Sequence, residues 1–191
     1  MSTSVRERSR EVFRVELARE AVRLFVDHGF DGITVEELAK QLGISRATFF
    51  RYFGSKEDVV VVSTERSGAD YAEALSQADV ADGASAWTLL RAAFQPAAHT
   101  ADSDPDRLRA RLRMITANPV LKARIAEKRA LQVDEVAAAL AARIGDATAA
   151  RVFTVAAYAV VDLTWERWAA AGTASFTAAL DEAFATLAAA R

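Results

Sequence analysis

The sequence contains no cysteine, only three prolines and only two histidines in 191 residues. Without cysteine the chain can form neither disulfides nor thiolate metal sites. His28 and His99 are the side chains best suited to proton transfer near neutral pH, and neither stands in a recognisable nucleophile or metal spacing. We read His28 as a helix C-terminal residue and His99 as part of a polar loop. These absences argue against an enzyme, and we predict no catalytic residue, metal or cofactor.

The chain also lacks a strong charge of one sign and a long hydrophobic run. Its formal net charge is -2, which argues against a nonspecific nucleic-acid coat. The longest apolar stretch, residues 152–163, is well short of the roughly 20 residues needed to span a bilayer. The segment MSTSVRERSREVF is too charged for the apolar core of a secretion signal. We therefore expect a cytoplasmic protein with no membrane partner.

Helix start and stop signals recur along the chain, and strand signals do not. A capping residue precedes proline twice, and a glycine stop precedes a capping residue twice: Asp104-Pro105, Asn118-Pro119, Gly145-Asp146 and Gly172-Thr173. Residues 59–62 could form a β-branched strand, but acidic residues in the preceding turn favour a helix. Residues 77–84 read as a loop. The pattern predicts an all-α fold of about nine helices.

The segment TVEELAKQLGISRATFFRYF, residues 34–53, predicts two short helices joined by a tight turn. Thr34 and Glu37 have the spacing of a capping box, and Gly43 supplies the left-handed backbone needed after a helix end. Ser45 then caps a second helix, whose donors Arg46, Thr48, Arg51 and Tyr52 surround a body anchored by Ala47, Phe49, Phe50 and Phe53. This arrangement is typical of a helix-turn-helix.

The second of these helices lies in a stretch with basic residues and no acidic ones. From Leu38 to Lys56 there is no Asp or Glu, whereas Lys40, Arg46 and Arg51 lie between those limits. A solvated helix face would explain the charges alone, but with the caps and the turn they favour a surface for a polyanion.

The segment GISRATFFRYFGSKE resembles the recognition-helix signature of the TetR/AcrR family of bacterial transcriptional regulators, and the resemblance extends back to about Arg10. It implies phosphate contacts for Thr34, Tyr52 and Lys56. It also implies contacts of Arg46, Ala47 and Thr48 with base edges or the adjoining backbone. Family members often carry Tyr where this chain has Phe50. Phe50 has no hydroxyl to contact a phosphate, so we expect its ring to serve only in packing. The predicted DNA-binding residues are Thr34, Arg46, Ala47, Thr48, Phe50, Arg51, Tyr52 and Lys56.

The resemblance implies a three-helix DNA-binding head, residues 1–56, and a helical body for ligand binding and dimerisation, residues 57–191. A nearly all-apolar helix around residues 152–168 would need cover on two sides, which a second subunit can supply. Two heads spaced about 34 Å apart would read a palindromic operator in double-stranded DNA. The alternative is a monomer whose own chain covers that helix.

Large side chains of the body could line a cavity or simply fill the core: Trp87, Phe94, Leu112, Ile115, Leu121, Tyr158 and Trp165. Residues 104–143 also resemble the subgroup typified by the mycofactocin-associated regulator. That resemblance implies a small apolar effector such as an acyl-coenzyme A. Because residues 55–62 directly follow the reading helix and lead into the body, we hypothesise that effector binding moves the fourth helix and releases DNA.

Two other functions stay open on the sequence alone. One is an effectorless, chromosome-associated DNA-binding protein, and the other, with less support, is a helical small-molecule-binding protein or enzyme. Asp162 lies within the apolar helix and needs a polar partner, for which Arg167 or a tyrosine is available. We prefer a structural ion pair to a ligand contact as the interpretation of this carboxylate.

Overall fold

The computed structural model describes residues 5–65, 71–81, 83–171 and 175–189. Within those ranges the chain is helical and contains no β-strand, which confirms the all-α prediction. The helices are Val5–His28 (α1), Val35–Gln41 (α2), Arg46–Tyr52 (α3), Lys56–Glu65 (α4), Tyr71–Gln77 (α5), Ala86–Ala93 (α6), Gln95–Ser103 (α7), Pro105–Ala117 (α8), Pro119–Ile144 (α9), Ala147–Ala171 (α10) and Phe176–Ala189 (α11).

Local caps explain where most of these helices begin. The hydroxyl of Ser55 accepts a hydrogen bond from the Asp58 amide at 3.1 Å, so residues 59–62 are helical and the strand alternative is excluded. The Asn118 side chain accepts from the amides of Val120 and Leu121 at 3.0 and 3.1 Å. Each bond satisfies a backbone donor that the first helical turn leaves without a partner. The predicted start at Gly172-Thr173 lies outside the described residues.

Two of the eleven helices described, α5 and α7, are absent from the sequence-based prediction of about nine. Helix α7 follows α6 with only Phe94 between them, and no side chain caps its first turn. It therefore lacks a capping side chain before its first turn, although Pro96 lies in that turn. His99 lies in α7 beside Gln95, so its assignment to a polar loop is wrong. Between α5 and α6, the described residues are non-helical, as predicted.

The first of two compact units comprises Met1–Ser67 and Met114–Ile125. Its described core combines side chains of α1 to α4 with the end of α8 and the start of α9, including Phe25, Leu38, Phe49, Val59 and Leu121. The unit therefore contains α4, which the predicted boundary after Lys56 assigns to the body. The reason is that Val59, Val60 and Val62 are buried in this core.

The second compact unit comprises Gly68–Arg113 and Ala126–Arg191. Its described core is built from α5, α6, α7, α9, α10 and α11, with Leu90, Phe94, Leu140, Tyr158 and Phe176 among its buried side chains. Asp102 of α7 accepts hydrogen bonds from the Ser175 hydroxyl and the Phe176 and Thr177 amides, so it caps α11 from a distant part of the chain.

Candidate nucleic-acid interface

The turn between α2 and α3 has the geometry that its sequence predicts. Thr34 and Glu37 form a complete capping box, and Gly43 has a φ of 69°. The Ile44 amide donates to the Ala39 carbonyl at 3.0 Å, which closes the turn. Hydrogen bonds from the Thr34 amide and hydroxyl hold the pKa of the Glu37 carboxyl below its ordinary value. The start of α2 and the turn are therefore fixed by local bonds.

Helix α3 divides into a buried face and an exposed face. Phe49 and Phe53 are buried, whereas Arg46, Ala47, Phe50 and Arg51 are exposed. The expectation that Ala47 and Phe50 anchor the helix is therefore wrong, and the Phe50 side chain is 45% exposed. Ala47 lies two residues before the buried Phe49 and Phe50 one residue after it, so at about 100° per residue both point away from the buried face. The exposed face thus includes an apolar element.

The exposed polar groups of α3 are held by weak, local contacts. The Arg46 guanidinium pairs with Glu36 at 3.0 Å and lies 5.5 Å from the Phe50 ring centroid. The Thr48 hydroxyl oxygen accepts from Ser45 at 3.0 Å and from Arg51 at 3.4 Å, so its own hydrogen remains a donor. Because an exposed ion pair contributes little stability, a phosphate can compete with Glu36 for Arg46.

Lys56 has an additional structural role that the sequence does not reveal. Its ammonium nitrogen donates to the carbonyl oxygens of Phe30 at 2.9 Å and Ile33 at 3.1 Å. It also lies 4.8 Å from the Phe30 ring centroid. Because an ammonium has three donors, one remains for a phosphate. Lys56 therefore ties the start of α4 to the segment between α1 and α2.

Tyr52, the last residue of α3, lies against the beginning of α1. The Phe13 ring meets the Tyr52 ring edge-on, with centroids 5.7 Å apart, and the Arg10 guanidinium lies 5.6 Å from the Tyr52 centroid. The Arg51 guanidinium lies 5.5 Å from the same centroid. Sequence reasoning missed the contact between α1 and α3, since it joins residues about forty positions apart.

The seven side chains predicted for a ligand cavity do not lie in one core. Trp87, Phe94, Leu112, Tyr158 and Trp165 belong to the second unit, where Trp87 packs on Phe153 and Trp165 stacks on Phe176. Ile115 and Leu121 instead belong to the core of the first unit. The reason is that α8 enters the first unit at its end and α9 begins there, so neighbouring turns of one helix serve different cores.

Two buried hydroxyls of α10 have no hydrogen-bond partner among the described residues. They belong to Thr154, which is 0% exposed, and Tyr158, which is 4% exposed, one turn apart on α10. Burial raises the pKa of Tyr158, so its hydroxyl keeps its hydrogen at neutral pH. A buried polar group without a partner is destabilising. Both hydroxyls therefore keep hydrogen-bonding capacity that no described residue uses.

Asp162 does have a partner, but it is neither of those expected from the sequence. Its carboxylate pairs with Arg129 of α9. The Arg129 guanidinium also lies 5.8 Å from the Tyr158 ring centroid. This confirms an ion pair at Asp162 and corrects Arg167 to Arg129. The pairing joins positions 33 residues apart, which helical spacing alone does not identify.

Helix α10 is long and apolar enough to cross a bilayer by length and composition. One side of it is nevertheless buried in the second unit, and Arg151 and Asp162 form ion pairs with Asp134 and Arg129 of α9. The buried side of this helix therefore belongs to the core of the second unit. Its outer side exposes the apolar side chains of Val152, Val155 and Leu163.

The described residues contain no group of three His, Asp or Glu side chains arranged to hold a metal ion. What they do present is a capped helix-turn-helix with an exposed basic helix, joined in one chain to a larger helical unit. This combination defines a helix-turn-helix regulator.

Comparison with known proteins agrees with that class. A model of bacterial regulatory proteins of the tetR family matches residues 17–61, and a model of the MftR C-terminal domain matches residues 84–191. The chain is 30% identical over 172 residues to the putative mycofactocin biosynthesis transcriptional regulator MftR of Mycobacterium tuberculosis, covering 86% of this chain and 83% of that protein. The chain belongs to the TetR family, with an MftR-type C-terminal domain, which confirms both resemblances.

Two further similar proteins match this chain over different lengths, one over about a third of it and the other over most of it. The transcriptional regulator TcmR of Streptomyces glaucescens is 40% identical over 57 residues, which are 30% of this chain and 25% of TcmR. The crystal structure of FadR from Thermus thermophilus, a TetR-family repressor in complex with lauroyl-CoA, is 25% identical. Its TM-score is 0.62, and the match covers 92% of this chain and 93% of that one. The second comparison shows that the likeness extends beyond the helix-turn-helix.

Proposed function

We propose that this protein is a sequence-specific DNA-binding transcriptional regulator that reads double-stranded DNA with α3. The observation that carries the proposal is the exposed face of α3, which contains Arg46 and Arg51 and no acidic residue, beside a turn fixed by local caps. The major groove of B-DNA is wide enough to admit a helix of this kind, and the base edges exposed there differ from one base pair to another. Membership of a family of regulators, which are not enzymes, supports the same conclusion.

The exposed side chains of α3 have distinct proposed roles. Arg46 and Thr48 donate to base edges or the adjoining backbone, Ala47 allows close approach, and Phe50 contacts the apolar edge of a base. Arg51 donates to phosphate. At the rim, Thr34, Tyr52 and the remaining donor of Lys56 contact phosphates, which position the helix without reading sequence. The roles of Thr34, Arg46, Ala47, Thr48, Tyr52 and Lys56 follow the family resemblance, and exposure and the donors left by local bonds support them. Thr34 is the exception, because its amide and hydroxyl both donate to Glu37 and must leave that carboxylate to reach a phosphate.

We further propose a homodimer that binds a palindromic operator. On the outer side of α10, Val152, Val155 and Leu163 are at least 49% exposed and lie at spacings of three and eight residues, which place them on one helix face. Alanines such as Ala156 and Ala159 lie between them and permit close helix approach. A second copy of this face would remove the apolar stripe from water. The proposed location is the cytoplasm, where chromosomal DNA of a bacterium lies.

The proposed effector is an acyl-coenzyme A that binds the second unit and releases DNA. The match to an MftR C-terminal domain supports a ligand-binding role, and the FadR relative was crystallised with lauroyl-CoA. The buried Thr154 and Tyr158 hydroxyls supply donors for a carbonyl oxygen. A ligand that prefers the non-binding conformation by about 3 kcal/mol lowers operator occupancy on the order of a hundredfold.

Selection of bound fragments from genomic DNA, with and without lauroyl-CoA, tests the proposal. We expect a short palindrome to be enriched, and we expect lauroyl-CoA to reduce its recovery. Recovery of the palindrome regardless of ligand, with no thermal shift by acyl-coenzyme A species, would instead support the effectorless DNA-binding protein. No enrichment of any sequence would reject the regulator itself.

A matched pair of variants tests the contact surface. Arg46→Ala removes an exposed, ion-paired arginine from α3, and Arg19→Ala removes an exposed, ion-paired arginine from α1 of the same unit. If Arg46 reads a base, its variant should bind the operator more weakly by about 1–3 kcal/mol and tolerate more sequences. Fluorescence anisotropy with the selected duplex gives both values. Equal affinities of the two variants would contradict the assignment.

A further inference from the structure

The first nine described residues of α1 extend beyond the packed core. Residues 5–13 are all exposed, and Val15 is the first buried residue of the helix. At 1.5 Å per residue this exposed part is about 13 Å long. It precedes residue 17, where the family match begins. The core therefore does not explain why α1 starts so early.

The arginines of this extension differ from those in the rest of α1. Arg14, Arg19 and Arg23 each pair with a glutamate three residues earlier, at Glu11, Glu16 and Glu20. Arg6, Arg8 and Arg10 form no ion pair in the part of the chain that the structure describes. Their charges are therefore not neutralised by neighbouring carboxylates and remain available to an anion.

Two of these arginines lie on the side of α1 that faces α3. Arg10 and Phe13 both contact Tyr52, and Arg6 precedes Arg10 by four residues, which places it on the same side one turn away. Arg8 is about 200° around the helix from Arg6, so it points elsewhere. The charged surface of α3 therefore continues along one face of the α1 extension.

We infer that Arg6 and Arg10 form a second DNA-contact element, which binds phosphates of the operator next to the segment read by α3. The inference rests on the proposed DNA-binding function. Phosphate is the anion that the position beside Tyr52 selects, since a duplex bound to α3 brings its backbone to the rim of that helix. Guanidinium groups bind phosphate through paired N–H donors, and such bonds add affinity without reading bases.

The test compares the salt dependence of operator binding for four proteins: wild type, Arg6→Ala/Arg10→Ala, Arg6→Lys/Arg10→Lys and Arg8→Ala. Removal of one arginine–phosphate interaction lowers the slope of log K against log[salt] by about 0.9. The double alanine variant should therefore have a slope smaller by about 1.8 per bound subunit and bind on the order of tenfold more weakly. The lysine variant should restore most of the slope, and Arg8→Ala should match wild type.

Equal slopes for wild type and the double alanine variant would overturn the inference. So would a reduction of about 0.9 in Arg8→Ala, which removes one charge, because a general charge effect would then explain both variants. Failure of wild type to bind any selected duplex would reject the proposed function together with the inference. Thermal melting checks folding, and all four proteins should melt alike because the substituted side chains are exposed.

Discussion

The two compact units treat buried polar groups differently. In the first unit, the half-buried ammonium of Lys56 donates to two backbone carbonyls, and short caps satisfy the starts of α2, α3 and α4. In the second unit, the buried Thr154 and Tyr158 hydroxyls have no partner among the described residues. A satisfied polar network favours one rigid arrangement, whereas buried hydroxyls without partners favour a ligand that supplies them.

This difference fits the two tasks proposed for the chain. A reading helix must keep its donors within a fraction of an ångström of their target, which local caps and a tied turn provide. Ligand binding must instead stabilise a sensing unit, and buried donors without partners contribute to that stabilisation when the ligand accepts their hydrogen bonds. Four substitutions break or sharpen the contrast, and their expected effects decrease in the order given.

The largest effect should come from Leu121→Ala. Leu121 is on α9 but fully buried in the core of the first unit, so its truncation should destabilise that unit by about 2–5 kcal/mol. Urea unfolding and amide hydrogen exchange of α1 to α4 measure the destabilisation. Leu131→Ala on the same helix is the control, since Leu131 is 67% exposed and should change stability by less than about 0.5 kcal/mol. If the hydrogen-exchange protection of α1 to α4 is unchanged, Leu121 of α9 does not contribute to the core of the first unit.

Lys56→Met separates a structural role from a DNA contact. Loss of the ammonium leaves the Phe30 and Ile33 carbonyls without their donor, so we expect destabilisation of about 1–3 kcal/mol by urea unfolding. Lys40→Met, on the exposed side of α2, is the control. If stability is unchanged but the salt slope of operator binding falls, Lys56 acts only on phosphate and the contrast between the units weakens.

Asp102→Ala should destabilise the second unit by about 1–2 kcal/mol, because α11 loses its cap. Burial acts to raise the pKa of Asp102, but hydrogen bonds from Thr177, Ser175 and Phe176 outweigh it and lower the pKa. Because the folded-state pKa is the lower one, the carboxylate stabilises fully above the ordinary value of about 4. That stabilisation disappears as the pH falls through the lowered pKa.

Urea unfolding of wild type and Asp102→Asn between pH 7 and pH 2 measures this dependence. The difference between the two proteins should be constant down to about pH 4 and should shrink below it. Asp79→Asn, in the exposed segment after α5, should show no comparable dependence. A difference that stays constant to pH 2 would assign the effect of Asp102 to packing and not to charge.

The smallest effect on stability should come from Tyr158→Phe. Removing a buried hydroxyl that has no partner should leave the stability of the ligand-free protein unchanged or raise it by up to about 1 kcal/mol. Isothermal titration with lauroyl-CoA should show binding weakened about tenfold if the hydroxyl donates to the ligand. Tyr52→Phe is the matched control, and equal ligand affinity in both variants would exclude Tyr158 from the proposed site.

The fold was predictable where structure follows from spacing, and the site was predictable only in part. The caps at Thr34, Ser45 and Asn118 and the turn at Gly43 lie where the sequence places them. Helix α7 was missed because it has no capping side chain. Phe50 was read as buried because an apolar residue type does not say which side of a short helix faces the core.

The sequence by itself determined the helices with marked ends, the helix-turn-helix and the family, since these depend on bonds and spacings within a few residues. Only the tertiary structure decided that Lys56 ties a turn, that Arg129 pairs with Asp162, and that Leu121 serves the first unit. Such partners come from segments tens of residues apart. Which of many chemically suitable side chains meet is set by how the helices pack, and no local pattern encodes that choice.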